Sequence, residues 1–376
     1  MKKTLLLLAI AGGSLTTTFA AAADSVTLYG ILDNSLQYVR NAGNEKSQFG
    51  LVGGQLSGNR WGFLGEETLD ATSKVIFRLE SGFNINNGVL GQGGLMFGRQ
   101  AYVGINHATA GTFTIGRQFD TLRDLVLPVQ GNSVLEFYSS PGDVDAGDAT
   151  IRMNNAVKWL SPNWSGLQAG ATYSFGGVAG AGGSGQTWSL ALSYTLDRWK
   201  LAGGFLHVDN GNGATSARGV TTSASIFSTP VNAAYASARS YNIFRVATNY
   251  DFGNYVVGAY YSFSQYVPDA YSKFSGSERY SNVSPFVLWK ATPNFMVEFG
   301  YNFMKASGNS SAIYQHVSLA ADYLLSKRTD VYGIVAAGHA SGNNGSGSAM
   351  AYIGDASTTS VNGSQLLLIT GIRHRF

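Results

Sequence analysis

Cysteine is absent from the 376 residues, which excludes a disulfide framework and any Cys-ligated metal site. Charge is scarce as well: Asp, Glu, Lys and Arg make up only 12% of the chain, unusually little for a soluble protein of this length. Beyond the N-terminus no run of about eighteen apolar residues occurs, so no transmembrane helix is expected. Mean hydropathy is nevertheless zero, the balance expected of a chain with one apolar and one polar face.

Glycine is abundant, with 48 residues, and the 20 Tyr and 21 Phe far outnumber the 6 Trp. The N-terminus has the pattern of a secretory signal: Lys2 and Lys3, an apolar core from Leu5 to Ile10, and a small-residue stretch from Ala20 to Ala23. The expected division is a signal peptide over 1–23 and a single barrel domain over 24–376. Without Lys2 and Lys3, 23 bases face 22 acids, so net charge says little about partners. An exported chain without apolar helices can still span a bilayer, but only as a closed barrel.

Segments of about ten residues alternate apolar and polar with period two, the signature of transmembrane strands. On one, Phe295, Val297, Phe299, Tyr301 and Phe303 oppose Glu298, Gly300 and Asn302. On another, Trp188, Leu190, Leu192, Tyr194 and Leu196 alternate with small polar residues. Sixteen such segments can be counted, the first two over 25–39 and 55–65. Short turns, such as Asp197-Arg198 and Gly253-Asn254, alternate with long loops that include 40–54, 118–151, 209–238 and 339–363. Both chain ends then lie on the short-turn side, the asymmetry of outer-membrane barrels, whose turns are periplasmic and loops extracellular. The predicted fold is all-β: a 16-stranded antiparallel transmembrane β-barrel. A soluble β-sandwich or β-helix fits less well, because no linker or composition shift divides the chain. A barrel of sixteen strands leaves an aqueous channel.

Several stretches resemble the general porins of Gram-negative bacteria, and among them the beta-proteobacterial ones. They are Ser25-Val-Thr-Leu-Tyr-Gly-Ile-Leu-Asp, Asn59-Arg-Trp-Gly-Phe-Leu-Gly-Glu-Glu, Phe97-Gly-Arg-Gln-Ala-Tyr-Val-Gly-Ile, Gly111-Thr-Phe-Thr-Ile-Gly-Arg-Gln and the terminal Leu368-Ile-Thr-Gly-Ile-Arg-His-Arg-Phe. The resemblance covers Ser25 to Phe376. It implies a barrel embedded in outer-membrane lipid, usually a homotrimer, that passes small hydrophilic solutes and ions by diffusion. It further implies that the third long loop, 118–151, folds into the barrel as its constriction. The family's Pro-Glu-Phe motif there is matched by Leu135-Glu136-Phe137, making Glu136 the expected pore-facing acid, with Asp120 and Asp124 beside it. The missing proline departs from the family pattern.

The family's basic wall is matched by Arg60, Arg99 and Arg152. Alternation agrees for Arg60, which lies opposite Trp61 and Phe63, and for Arg152 and Lys158, which lie opposite Val157 and Trp159. Alternation also turns Arg78 and Glu80 inward. It turns Arg99 outward, against the motif, and it turns Arg117 outward, so Arg117 is assigned a structural anchoring role instead. The expected outcome is mild anion preference, because the guanidinium keeps its charge even when crowded by other cations.

A substrate-specific sugar or peptide channel is the main alternative, and it calls for an aromatic track lining the lumen. Tyr29 and Tyr260 are inward candidates but form no continuous track. A structural or adhesive barrel and an enzymatic outer-membrane barrel are further alternatives. The five histidines fall in different segments without the spacing of a zinc motif, no cofactor motif is present, and the scattered bases do not suggest nucleic-acid binding.

Overall fold

The computed structural model describes residues 25–43, 46–131, 139–148, 151–210, 225–354 and 360–376. The signal assigned to 1–23 and the Glu136 of the expected loop motif lie outside the described residues. Every strand belongs to one antiparallel sheet that closes on itself. In order they are β1 (Ser25–Ala42), β2 (Lys46–Gly53), β3 (Arg60–Thr68), β4 (Ser73–Gly82), β5 (Gln100–His107) and β6 (Gly111–Phe119). There follow β7 (Arg152–Leu160), β8 (Leu167–Ser174), β9 (Thr187–Leu196), β10 (Trp199–Asp209), β11 (Ser240–Asp251) and β12 (Tyr255–Val267). The last are β13 (Glu278–Thr292), β14 (Phe295–Ser307), β15 (Ile313–Leu324), β16 (Thr329–Ser341) and β17 (Ser364–Arg375).

The seventeen segments make sixteen staves. β2 and β3 both pair with β1, β2 against its upper half and β3 against its lower half, so they are two pieces of one interrupted stave. The loop expected over 40–54 is therefore mostly strand. Its polar, glycine-rich composition suggested a loop, yet β1 supplies a pairing edge that alternation could not reveal.

Side chains divide as the alternation requires. On β14, Phe299 is exposed while Glu298 and Asn302 are buried. Across the wall Leu28, Ile105, Ile115, Leu192, Val246 and Leu319 are exposed, an apolar outer band suited to hydrocarbon. At the turn end, paired aromatics form a girdle: Tyr255 stacks on Trp289 with ring centroids 6.3 Å apart, Trp199 meets Tyr250 at 6.5 Å, and Phe295 meets Tyr323 at 6.4 Å. Amphipathic rings of this kind settle at headgroup level. The Asp197-Arg198 turn joins β9 to β10, and Asp197 adopts a left-handed φ of 51°, as tight hairpins demand.

The closing ladder runs on to Phe376. β17 pairs with β1 from Ile31 to Arg40, and the ladder ends where the Phe376 N–H donates to the Gly30 carbonyl and Gly30 N–H donates back, each at 3.1 Å. The Phe376 ring fills the space a side chain at Gly30 would need, since a Cβ there would lie 2.3 Å from the ring's Cζ. Gly30→Val is expected to overpack this seam by about 1–3 kcal/mol. A lower melting temperature of the folded band on unheated gels, relative to wild type, checks it.

Candidate functional site: the constriction

The loop after β6 enters the barrel instead of leaving it. A helical turn over Thr121–Leu125 packs against β8, β9 and β10, and a second over Leu127–Gln130 reaches β11 and β12. Leu122, Leu125 and Val126 are buried and hold these turns to the wall, while Arg123 points the other way and is part-exposed. Asp120 caps the first turn, its Oδ1 accepting from the N–H groups of Leu122 (2.8 Å) and Arg123 (3.2 Å). Farther on, Gln130 accepts from Arg245 (2.9 Å), the Val129 carbonyl from Asn249 (2.9 Å), the Val144 carbonyl from the Tyr266 hydroxyl (2.9 Å), and Asp145 from Ser262. The loop is thus tied to the wall over β9–β12, across the lumen from β3–β5.

Where the loop leaves β6, Phe119 gathers charge. The guanidinium carbons of Arg123, Arg152 and Arg99 lie 4.8, 4.9 and 5.9 Å from its ring centre. Cations placed over an aromatic face are attracted by its quadrupole, so the ring holds together groups that repel one another. Arg99 is oriented by an ion pair from Nε to Glu80 Oε1 at 2.7 Å. The other oxygen of Glu80 accepts from the Tyr29 hydroxyl at 2.7 Å, and Arg78 lies over the Tyr29 ring at 5.7 Å. Arg60 is within electrostatic reach of both Glu80 and Arg152.

The sequence residues therefore separate into those brought to this cluster and those used elsewhere. Arg60, Arg78, Arg99 and Arg152 assemble on one side of the lumen. Arg99 escapes the parity objection because β5 begins only at Gln100; Arg99 itself lies outside the ladder and need not alternate with it. Asp120 and Lys158 need correcting as pore groups. The Asp120 carboxylate is turned into the helix cap, and Lys158 is buried with its Nζ 2.6 Å from Asp124 and 3.2 Å from the Phe119 carbonyl. This pair fastens the loop to β7, so Lys158 and Asp124 largely cancel each other. Arg117 donates from Nε to the Gly98 carbonyl at 2.8 Å and from Nη1 to Asn154, an anchor rather than a pore group.

Two features escaped the sequence reading. Arg123 joins the arginines, and the clue was available in the buried Leu122, Leu125 and Val126 around it, which leave only one face to the lumen. Inward tyrosines are also more numerous than expected: Tyr241, Tyr260, Tyr266, Tyr280 and Tyr314 are buried. Two of these hydroxyls are spent on loop carbonyls, Tyr280 on Val231 (2.9 Å) and Tyr266 on Val144. Three histidines are similarly engaged: His207 stacks on Trp188 (5.6 Å) and meets Asn242, His374 meets Thr329, and His107 accepts within its own turn.

Burial pushes the Asp120 carboxyl above the usual range, opposed by Arg245 and the two capping N–H groups. A raised carboxyl pKa favours the fold at low pH, and that contribution is lost as pH rises from the ordinary Asp value through the raised one. Asp120→Asn should flatten this dependence while keeping an acceptor, whereas Asp120→Ala should cost about 1 kcal/mol. Amide hydrogen exchange over 121–131, followed against pH, tests both.

A family profile described as Gram-negative porin matches residues 6–343. The chain belongs to that family. Among curated relatives, an outer membrane porin protein of Bordetella pertussis is 36% identical over 196 residues, 46% of this chain and 48% of the relative. Outer membrane porin protein 32 of Delftia acidovorans is 29% identical over 223 residues, 56% of this chain and 57% of the relative. The matched stretches thus span about half the length of either curated relative. Among solved structures, an anion-selective porin from Comamonas acidovorans has a TM-score of 0.72 at 21% identity, covering 94% of this porin and 100% of the other chain. The trimer form of OmpT from Vibrio cholerae has a TM-score of 0.65 at 17% identity, over 94% and 100% of the two chains. Both likenesses establish the barrel fold.

Proposed function

We propose that this porin is an outer-membrane diffusion channel for small hydrophilic solutes and ions, with a preference for anions. The observation that carries the reading is the set of guanidiniums around Phe119. Among the described residues the nearby acids are already committed, Glu80 to Arg99 and Tyr29, and Asp124 to Lys158 and, at 3.6 Å, to Arg123. The cluster therefore presents net positive charge where the loop narrows the lumen. A charged constriction with low-dielectric walls focuses the field and selects by sign. Arg78 and Arg60 extend the positive side along the wall, so an anion would move from one guanidinium to the next while a cation would meet a barrier. The anion-selective relative from Comamonas acidovorans supports this sign, and the trimeric relative from Vibrio cholerae supports a homotrimer.

The test is a planar bilayer carrying purified protein in a potassium chloride gradient. The expected reversal potential has the sign of chloride selectivity, with ohmic openings in groups of three. Cation selectivity would sink the proposed sign. Saturation by one sugar or peptide would move the assignment to a substrate-specific channel.

A further inference from the structure

The interruption between β2 and β3 contains an unusual surplus of chain. Asn34 of β1 pairs with Gly53 and Ile31 pairs with Arg60, so residues 54–59 stand opposite only Leu32 and Asp33. Six residues facing two cannot lie in the ladder, and a bulge usually inserts one. The extra chain folds over the inner face of the closure seam. Gln55 accepts from the buried Gln37 at 2.9 Å, Leu56 is buried, and the Ser57 hydroxyl accepts from Arg373 of β17 at 2.8 Å.

Asp33 is the centre of this insertion. Its Oδ2 accepts from the N–H groups of Leu56 (2.8 Å) and Ser57 (2.6 Å), and its Oδ1 accepts from the Tyr332 hydroxyl. Its carbonyl accepts from Gly54 N–H at 2.9 Å and Asn59 Nδ2 at 3.0 Å, and its own N–H donates to Asn59 Oδ1 at 2.7 Å. One residue therefore binds both ends and the middle of the insertion.

The far side of the insertion meets the arginines. The Gly58 carbonyl accepts from Arg60 Nε at 2.8 Å. A Cβ on Gly58 would lie 3.2 Å from Arg99 Nη1, so the bare backbone there sets how closely that guanidinium approaches. We propose that residues 54–59, clamped by Asp33, are a positioning device that aims Arg60 and Arg99 into the constriction. Asp33 then governs ion selectivity through the insertion rather than by facing the ions. This rests on the anion-selective reading for its direction, and on the insertion's own geometry for its existence.

The sign of the effect separates positioning from charge. Deleting an acid near the lumen should, by electrostatics alone, raise anion preference. If Asp33 instead holds the arginines in place, Asp33→Ala should lower the anion-to-cation permeability ratio, by about twofold or more, with noisier open-channel current. Asp33→Asn, which keeps an acceptor but loses the charge, should fall between Asp33→Ala and wild type. Arg373 retains its pair with Asp330 at 3.1 Å in both variants, so the seam keeps its other contacts.

A second variant deletes residues 55–58, leaving Gly54 and Asn59 opposite Leu32 and Asp33. It should lower the ratio and raise conductance together, since the lumen gains the insertion's volume. It also serves if Asp33→Ala fails to give a heat-resistant folded band. A ratio equal to or above wild type in the folded variants overturns the proposal. The wild-type reversal potential judges the anion reading separately, because the proposal is scored by the shift of each variant from wild type.

Discussion

Arg152→Glu is expected to turn this porin from anion-preferring to cation-preferring. Arg152 lies 4.9 Å from the Phe119 ring centre, in one group with Arg123 and Arg99 around the same ring. The substitution changes local charge by two units. A permeating ion about 8 Å away, in a screened medium of intermediate dielectric, feels about 0.5 kcal/mol per unit charge. The change acts with opposite sign on anion and cation, so their ratio should shift by about 2 kcal/mol, roughly thirtyfold. The reversal potential in a salt gradient should change sign, and Arg152→Gln should move it part of the way. A folded Arg152→Glu porin that keeps chloride selectivity would remove Arg152 from the selectivity site. Arg99→Gln is a poorer probe, since it both removes a cation and releases the Glu80 carboxylate, mixing selectivity with stability.

The other large effect concerns the loop itself. Replacing residues 126–147 with a short Gly-Ser linker should raise single-channel conductance roughly twofold or more, because a sixteen-strand barrel without an inward loop is an open aqueous channel. Thr121–Leu125 stays in this variant, with Arg123 still near Phe119 and Asp124 still paired to Lys158, so some anion preference should persist in a wider pore. The tethers removed include those from Arg245, Asn249, Ser262 and Tyr266. A milder form, Tyr266→Phe with Ser262→Ala, should leave mean conductance nearly unchanged and increase current noise. Unchanged conductance in the linker variant would mean that the narrowing lies elsewhere, and the insertion at 54–59 would be the next element to test.

Much of the fold could be read from period-two patterning. Alternation is a local property: side chains of a strand point to opposite faces whatever the rest of the chain does. Phe299 against Glu298 and Asn302 shows how directly it carries over. Alternation also turned Arg60 and Arg78 the right way, because each lies within an uninterrupted stretch of pairing, whereas Arg152 reaches the cluster from beyond the shift between β6 and β7. It failed where pairing stops or shifts. Arg99 sits one residue before its strand, and the register between β6 and β7 shifts between Gly116 and Gln118. Each such irregularity can flip the faces beyond it, and no sequence period announces it.

The sequence by itself determined the stave number, the long-loop and short-turn asymmetry and the basic residues available to face the lumen. Those properties follow from steric alternation and from motifs carried in continuous stretches. Only the tertiary structure decided how the charges are spent. It paired Lys158 with Asp124, turned Asp120 into a helix cap, brought Arg123 to Phe119, and converted the expected loop at 40–54 into half a stave with an inward insertion held by Asp33. These outcomes depend on which strands become neighbours and in what register, a property of the closed barrel rather than of any segment.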